Sequence, residues 1–275
     1  MRGLFFATFN NFQLIITHKQ DTFAVHNCIM KQIALLFTTF LLAASTFAQI
    51  DSTIKKKKKR DWSKVSLANR ANDHFVVQVG YDGWASMPDS IKTKGFSRSL
   101  NIYFMYDFPF KTDPRFSIGV GAGIGSSNIF FDKQEVDITN LGSRLPFPNK
   151  ADTTHFKKYK LVSSYLEAPV ELRFTADPEN SGSSWKGAIG VKVGTLLNVH
   201  TKGKTLLNST GGTVNSYTEK LSSKRFFNNT RFCVTGRVGY GHISIFGQYQ
   251  VNNFIRDGVG PNVHPYSIGI NFSGL

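Results

Sequence analysis

The stretch FSRSLNIYFMYDF, residues 96–108, decides the fold class because its apolar side chains recur at every second position. One alternate set consists of Leu100, Ile102, Phe104, Tyr106 and Phe108, and the other of Ser99, Asn101, Tyr103 and Asp107. Successive side chains of a β-strand point to opposite faces of its sheet. A period of two therefore predicts a strand with one apolar and one polar face.

Seven further segments of the chain repeat this period. They are 75–84, 115–127, 159–176, 185–199, 230–240, 242–254 and 265–272. The connections between the eight predicted strands are alternately short and long, with the longest at 128–158 and 200–229 and the shortest at Gly241. Outer-membrane barrels are built in this way, with short periplasmic turns and longer external loops. An even number of strands also places both termini in the periplasm.

The polar face of these strands is charged. It carries Asp82, Asp107, Glu167, Glu171, Lys186, Lys192, Arg231 and Arg237, together with many glycines. A soluble barrel or sandwich would turn its apolar face inward. The glycines of GVGAGIG, 119–125, instead suit the crowded lumen of an eight-stranded barrel. Aromatic residues near the strand ends predict interfacial girdles; these are Tyr81, Trp84, Phe108, Phe116, Phe174, Trp185, Tyr240, Phe254 and Phe272.

We therefore predict an all-β fold, an eight-stranded antiparallel up-and-down transmembrane β-barrel over residues 75–272, followed by a short tail at 273–275. A secreted soluble β-sandwich is the alternative. Pro169 lies within the fourth predicted strand. Because proline cannot donate a ladder hydrogen bond, we expect a β-bulge at this position.

The stretch MKQIALLFTTFLLAASTFAQ, residues 30–49, predicts export. A lysine precedes an apolar core, and the small residues Thr46 and Ala48 fit a signal-peptidase site, so 30–48 is the predicted signal peptide and Gln49 the first mature residue. The apolar run is too short for a transmembrane helix. Residues 1–29 are interpreted as an upstream extension, produced by a start codon assigned too early; a genuine extended leader is the alternative.

The chain is basic, with 33 Lys and Arg against 18 Asp and Glu and a net charge of +15. One run, Lys55, Lys56, Lys57, Lys58, Lys59 and Arg60, lies in the polar segment 49–74. Such a run can indicate nucleic-acid binding, but export would place it in the periplasm, where it meets no DNA. We expect a solvated tether, with contact to anionic lipid headgroups as the alternative. Cys233 is alone after the signal peptide, so no internal disulfide is expected.

The stretch YLEAPVELRF, residues 165–174, resembles the Tyr-Leu-Glu-x-Pro-x-Glu-Leu-Arg segment of PorT-like small outer-membrane β-barrels of Bacteroidota. The export signal, the glycine-rich third strand and the final YSIGINF, 266–272, agree with this resemblance, whereas the tail after Phe272 departs from it. The resemblance implies the outer membrane of a Gram-negative bacterium. It also implies one alternative function, an accessory role in type IX protein secretion.

The expected function is that of a monomeric, non-enzymatic barrel in outer-membrane lipid, with a structural or interaction role for its external loops. A protein of the envelope or of a secretion system is the expected further partner, and nucleic acid is not. The charges Glu167, Glu171, Lys192, Arg231 and Arg237 are expected to close the lumen as an ion network, because buried charges need partners. A proton or ion pathway, or a catalytic pair, is the alternative.

A hydrolase site at the outer rim is a further alternative. The predicted loops and their edges carry His155, His200 and His264, together with Asp137, Asp152 and Asp257. Their spacing resembles neither a catalytic triad nor a metal site, and the glycines at 119–125 lie within a strand, where they cannot open a phosphate-binding helix. We therefore expect no catalytic residue, no cofactor and no metal.

Overall fold

The computed structural model describes residues 74–274 and contains nine β-strands there. They are β1 Phe75–Ala85, β2 Arg98–Pro109, β3 Phe116–Phe131, β4 His155–Thr175, β5 Trp185–Leu207, β6 Thr213–Ser222, β7 Thr230–Tyr240, β8 Ile243–Gln250 and β9 His264–Ser273. The helical structure of this part of the chain is one 3-10 turn, Ser181–Ser183. The predicted extension 1–29, the signal peptide 30–48 and the basic run 55–60 lie outside the described residues.

Eight of the strands close into a ring. Each pairs antiparallel with its neighbour in the order β1, β2, β3, β4, β5, β7, β8 and β9, and β9 pairs again with β1. Closure leaves none of these eight strands as an unpaired sheet edge. The all-β, antiparallel fold is confirmed. The ninth strand, β6, was not predicted; it lies outside the ring and pairs with β5.

The ring is apolar on the outside and, in its turn-end half, polar within. Outward side chains such as Ile189 and Ile245 are 68% and 64% exposed, whereas the inward Asn271 and Lys192 are 0% and 2% exposed. We call the outward apolar side chains of the eight ring strands the apolar belt; on β4 it runs from Leu166 to Phe174. A tilted strand needs roughly nine to eleven residues to cross a bilayer, which matches this length.

The two ends of the ring differ. The turn end carries the short connections 110–115, 176–184 and 241–242. The loop end carries 86–97, 132–154, 208–229 and 251–263. At this end β4 and β5 continue past the belt as residues 155–164 and 198–207, and β6 adds to them as a third strand. The expectation that 128–158 and 200–229 are long loops is therefore wrong in part, since much of both segments is strand.

The predicted bulge at Pro169 is also wrong. Pro169 lies opposite Lys192 in an uninterrupted β4–β5 register. On its other side, the β3–β4 pairs are interrupted between Val120↔Val170 and Gly123↔Glu167 without a change of register. The strand therefore tolerates the missing N–H as a local gap in the ladder. The register shift lies instead beside Ser164 and Tyr165, where β5 inserts the extra residue Leu197.

Candidate functional site

The inward side chains of the turn-end half of the ring form a polar section of the lumen. Its first group is centred on Glu167, which is 1% exposed. Arg231 Nη1 donates to Glu167 Oε1 over 2.9 Å, and the Tyr103 hydroxyl donates to Oε2 over 2.5 Å. The guanidinium of Arg231 also lies over the Tyr165 ring, 5.0 Å from its centroid. Both oxygens of this buried carboxylate are thus hydrogen-bonded.

Lys192 completes this group through neutral oxygens. Its Nζ donates to Gln248 Oε1 over 2.9 Å, and to Gln78 Oε1 and Tyr103 Oη over 3.1 Å each. Within the described residues no carboxylate lies within ion-pair distance of Lys192. Lys192 thus joins the network without a direct ion pair, because Tyr103 connects its ammonium to Glu167.

The second group is centred on Glu171, nearer the turn end. Its Oε2 accepts from Arg237 Nη2 over 3.0 Å and from Arg173 Nε over 3.1 Å. Arg173 also lies 3.6 Å from Asp107 and donates to the Met105 sulfur over 3.0 Å. The structure thus brings Arg237 to Glu171 and Arg231 to Glu167, with Arg173 as a member that the predicted network omitted.

Charges of both signs share the polar section. Its carboxylates are Asp82, Asp107, Glu167 and Glu171, and its cations are Arg173, Lys192, Arg231 and Arg237, with Lys186 at the turn end. Asp82 accepts hydrogen bonds from the hydroxyls of Ser127 and Ser267. Desolvated charge costs free energy unless it is paired and hydrogen-bonded, and Glu167 and Glu171 are both.

Glycines make room for the two lumen glutamates. Glu167 lies between Gly123 and Gly194 on the neighbouring strands, and Glu171 lies between Gly119 and Gly190. A Cβ on Gly194 would lie 3.0 Å from Glu167 Cγ. Larger residues at these positions would therefore compete with the glutamates for the lumen, which the GVGAGIG pattern anticipated.

The space left in the polar section is small. A cavity of about 20 Å³ lies at the turn end, bordered by Asp107, Arg173, Lys186 and Arg237. A second cavity of about 10 Å³ lies above the Glu167 group, beside Tyr165 and Arg231. Each has the volume of about one water molecule.

The loop-end half of the ring is filled differently, by an apolar core that we call the apolar cap. Its buried members are Trp84, Ile91, Ile129, Phe131, Val136, Ile138, Leu145, Phe156, Tyr159, Leu161, Tyr165, Leu196, Val199, Phe226, Phe227, Phe254, Ile255 and Val263. The strands contribute their inward faces, and loops 86–97, 132–154, 223–229 and 251–263 fold over them. Trp84 and Phe254 belong here, 5.7 Å apart between ring centroids, so their assignment to the interfacial girdle is wrong.

Specific hydrogen bonds hold the longest loop on the cap. The Tyr159 hydroxyl donates to the Val136 carbonyl over 2.9 Å and accepts from its N–H over 3.1 Å. Burial raises the pKa of Tyr159 to about 12, although the Val136 bond opposes the shift. The Gln134 amide donates to the carbonyls of Ser90 and Phe147 and accepts from the Lys92 N–H. One buried side chain thus joins two loops.

The rim histidines are separated from one another. Nδ1 of His155 lies 3.1 Å from the Thr153 carbonyl, that of His264 lies 3.2 Å from the Gln250 carbonyl, and that of His200 lies 3.3 Å from Asn198 Nδ2. Among residues 74–274, no group of three or more His, Cys, Asp or Glu is placed to hold a metal ion. The same residues contain no helix long and apolar enough to span a membrane.

Comparison with known proteins places this geometry in a family. Residues 47–255 match the outer membrane protein beta-barrel domain. Two crystal structures of Ail, the attachment invasion locus protein of Yersinia pestis, are similar at 12% identity, covering 72% of this chain and 97% of Ail, with TM-scores of 0.31 and 0.30. One of them contains the heparin analogue sucrose octasulfate. The translocator domain of the autotransporter NalP from Neisseria meningitidis follows at 9% identity, covering 72% and 87%, with a TM-score of 0.15.

No curated protein matches the chain. The family match, by contrast, spans most of the sequence and all of the ring strands up to β8. The protein therefore belongs to the outer membrane protein beta-barrel domain family and resides in the outer membrane.

Proposed function

We propose that this protein is a closed, non-enzymatic barrel whose loop end acts as a rigid interaction platform at the cell surface. One observation carries the proposal: the lumen is filled along its length, by paired charges in the polar section and by side-chain packing in the apolar cap. Such a lumen favours a scaffold over a solute pathway. The interior of an eight-stranded barrel is just wide enough for side chains to fill it.

The loop end offers the surface that a partner would contact. β6 pairs with β5 along one edge and carries the exposed side chains of Val214 and Tyr217. A strand edge is a template for pairing with another chain. Leu141, in the longest loop, is 90% exposed. Because the loops are anchored on the apolar cap, these side chains are presented by a folded surface.

The orientation follows the usual layout of such barrels, with the short turns and both termini in the periplasm and the long loops outside. Support comes from the predicted signal peptide at 30–48 and from the lengths of the connections. An epitope tag inserted at Gly211, in the β5–β6 turn, should be stained on intact cells. A tag at Lys111, in the β2–β3 turn, should be stained only after permeabilisation. The opposite pattern would invert the proposed orientation and remove the surface role.

The PorT-like resemblance supplies the second candidate, an accessory role in protein secretion. The charged residues of its YLEAPVELRF segment, Glu167, Glu171 and Arg173, all point into the lumen. Glu171 contacts Arg173 and Arg237 there, and Glu167 contacts Arg231. The motif is thus accounted for by the packing of the barrel. A deletion strain that loses secreted proteins, and regains them with the wild-type gene, would favour the secretion role over the surface platform.

A further inference from the structure

We propose that the outward face of the loop-end strands binds lipid phosphate in the adjacent membrane leaflet. The binding side chains are Arg98, Lys158, Lys160, Lys202, Lys204 and Lys220, which we call the cation rows. The ligand class is a phosphorylated lipid headgroup.

The strand register places these cations side by side. Lys160 is paired with Lys202, and Lys202 is paired in turn with Lys220, which gives three lysines across three adjacent strands. In the next row Lys158 is paired with Lys204. Directly opposed side chains have Cβ atoms roughly 4.5–5.5 Å apart, and like charges in this relation destabilise a sheet. A bound anion would remove that repulsion.

The protein supplies no counter-ion of its own to these rows. In the described part of the chain, none of the six cations forms an ion pair with a carboxylate; Lys160 donates instead to the Asn128 amide oxygen over 2.7 Å. Glu219 is paired with Gly203 and so falls on the opposite face. Burial, together with the nearby Lys202 and Arg98, lowers the pKa of Lys160. The local field is therefore positive.

The rows lie at the height of lipid headgroups. On the outward side of β4, the exposed apolar residues end at Leu166 and are followed by Ser164, Val162 and then Lys160. A strand rise of about 3.4 Å per residue and a tilt of about 40° put Lys160 roughly 10 Å beyond Ser164 along the membrane normal. Lysine and arginine side chains can extend back toward this boundary.

The adjoining groove is amphipathic. Its volume is about 280 Å³, and its lining includes Phe96, Arg98, Phe130 and Lys158. The Arg98 guanidinium and the Lys160 ammonium each lie 5.7 Å from the centroid of the Phe130 ring. Cations beside an exposed aromatic wall suit a phosphate that is attached to an acyl-bearing headgroup better than a free anion. At the turn end, by contrast, Arg115 is paired with Asp113 over 2.6 Å.

The test measures lipid affinity by native mass spectrometry of the full chain in a zwitterionic detergent. The probes are diphosphorylated lipid A, its dephosphorylated form, phosphatidylglycerol and heparin. The row variant carries Lys160→Gln, Lys202→Gln and Lys220→Gln. The matched control removes three lysines elsewhere, by Lys111→Gln, Lys133→Gln and Lys224→Gln. At about 1 kcal/mol per lysine, the row variant should lose roughly a hundredfold in lipid A affinity, and the control should lose less than about threefold.

Several outcomes decide the proposal. Row-dependent binding of lipid A alone identifies a glycolipid, and equal row dependence with phosphatidylglycerol identifies lipid phosphate in general. Lysine-to-arginine changes at the three row positions should retain binding. If the triple variant does not refold, Lys202→Gln alone should lower affinity about fivefold. The proposal would be overturned if the row variant bound lipid A with unchanged affinity, or if the control variant lost as much affinity as the row variant. It would also be overturned if wild type bound dephosphorylated lipid A equally well, or if only heparin binding depended on the row lysines. The proposed orientation decides only which membrane leaflet supplies the lipid. The tag-accessibility experiment tests that orientation separately from lipid binding.

Discussion

At the scale of single residues, Glu167 is a buried carboxylate of the polar section whose two oxygens are both hydrogen-bonded. It accepts from Arg231 and Tyr103, and through Tyr103 it is joined to Lys192. Removing one partner of a buried ion pair leaves the other charge uncompensated, which costs about 3–5 kcal/mol. Glu167→Gln should therefore lower the free energy of unfolding by about that amount, measured by gel-shift melting in urea.

Two companion variants test the cause of that loss. Asp152→Asn changes an exposed loop carboxylate and should leave the melting curve unchanged. The double variant Glu167→Gln with Arg231→Gln removes both charges, and it should be more stable than Glu167→Gln alone because no buried charge is left unpaired. Equal stability of wild type and Glu167→Gln would show that water already screens this group.

Tyr159 carries a pH-dependent contact of the apolar cap. Its hydroxyl pairs with both polar groups of the Val136 backbone, and Tyr159→Phe should cost about 1–3 kcal/mol because those groups remain buried and unpaired. The folded pKa of about 12 lies above the ordinary value of about 10. The stabilisation is thus complete below pH 10 and declines as the pH rises through about 12. The protection factors of residues 132–154, which are hydrogen-exchange rates divided into the base-catalysed intrinsic rates, should fall over that window in wild type and already be low at neutral pH in the variant.

The sequence predicted the facing of these residues better than their partners. Alternation alone turned Glu167 and Glu171 inward, because a strand has only two faces. Partners depend on register, and the register sets Lys192 opposite Pro169 and each glutamate opposite a glycine. Tyr103, though predicted to face inward, was missed as a partner because an aromatic residue carries no charge signal. Its position beside Glu167 follows only from the registers of two strand pairs, in which Gly123 lies opposite both Tyr103 and Glu167.

At the scale of elements, the extra residue in β5 separates the part of the strand in the belt from the part beyond it. Leu197 and Asn198 both face outward, while Leu196 and Val199 face inward. Deleting Leu197 would leave every other side chain on its present face. Deleting Val193 would turn one side of the strand inside out, since a one-residue slip exchanges the faces.

We therefore expect the Leu197 deletion to fold and the Val193 deletion to fail. Each variant should be refolded into detergent micelles. The folded fraction is then measured on gels, where an unheated folded barrel migrates differently from the heated protein. The two variants lose one apolar outward residue each from the same strand, so they are matched in composition. Failure of both would mean that the bulge is required for the ring to close.

The elements that the sequence did not predict have physical reasons for being missed. β6 reads TVNSYTEKLS and is exposed along almost its whole length, so it has no buried face to impose alternation. Pro169 predicted a β-bulge because proline has no N–H to donate. The strand instead keeps its register and leaves a gap in the β3–β4 hydrogen-bond ladder. The continuation of β4 and β5 past the belt is rich in lysine, which resembles loop composition.

At the scale of the whole molecule, the barrel is closed twice. The polar section was predicted from the inward charges, whereas the apolar cap was not, because half of its residues are dispersed over four loops, some as isolated pairs such as Phe226 and Phe227. Only the ring closure brings those loops together. The polar section and the apolar cap block the same lumen one after the other. Removing one of them should therefore leave the lumen blocked by the other.

Ion conduction tests the closed lumen most directly. Planar-bilayer recordings should compare wild type with a variant in which residues 135–148 are replaced by a two-glycine link between Gln134 and Asn149, which already pair as a β-bridge. We predict no steady conductance for wild type, and none for the variant, because the polar section still blocks the path. Steady conductance steps from wild-type protein, at stable insertion and with unchanged melting, would contradict the closed barrel.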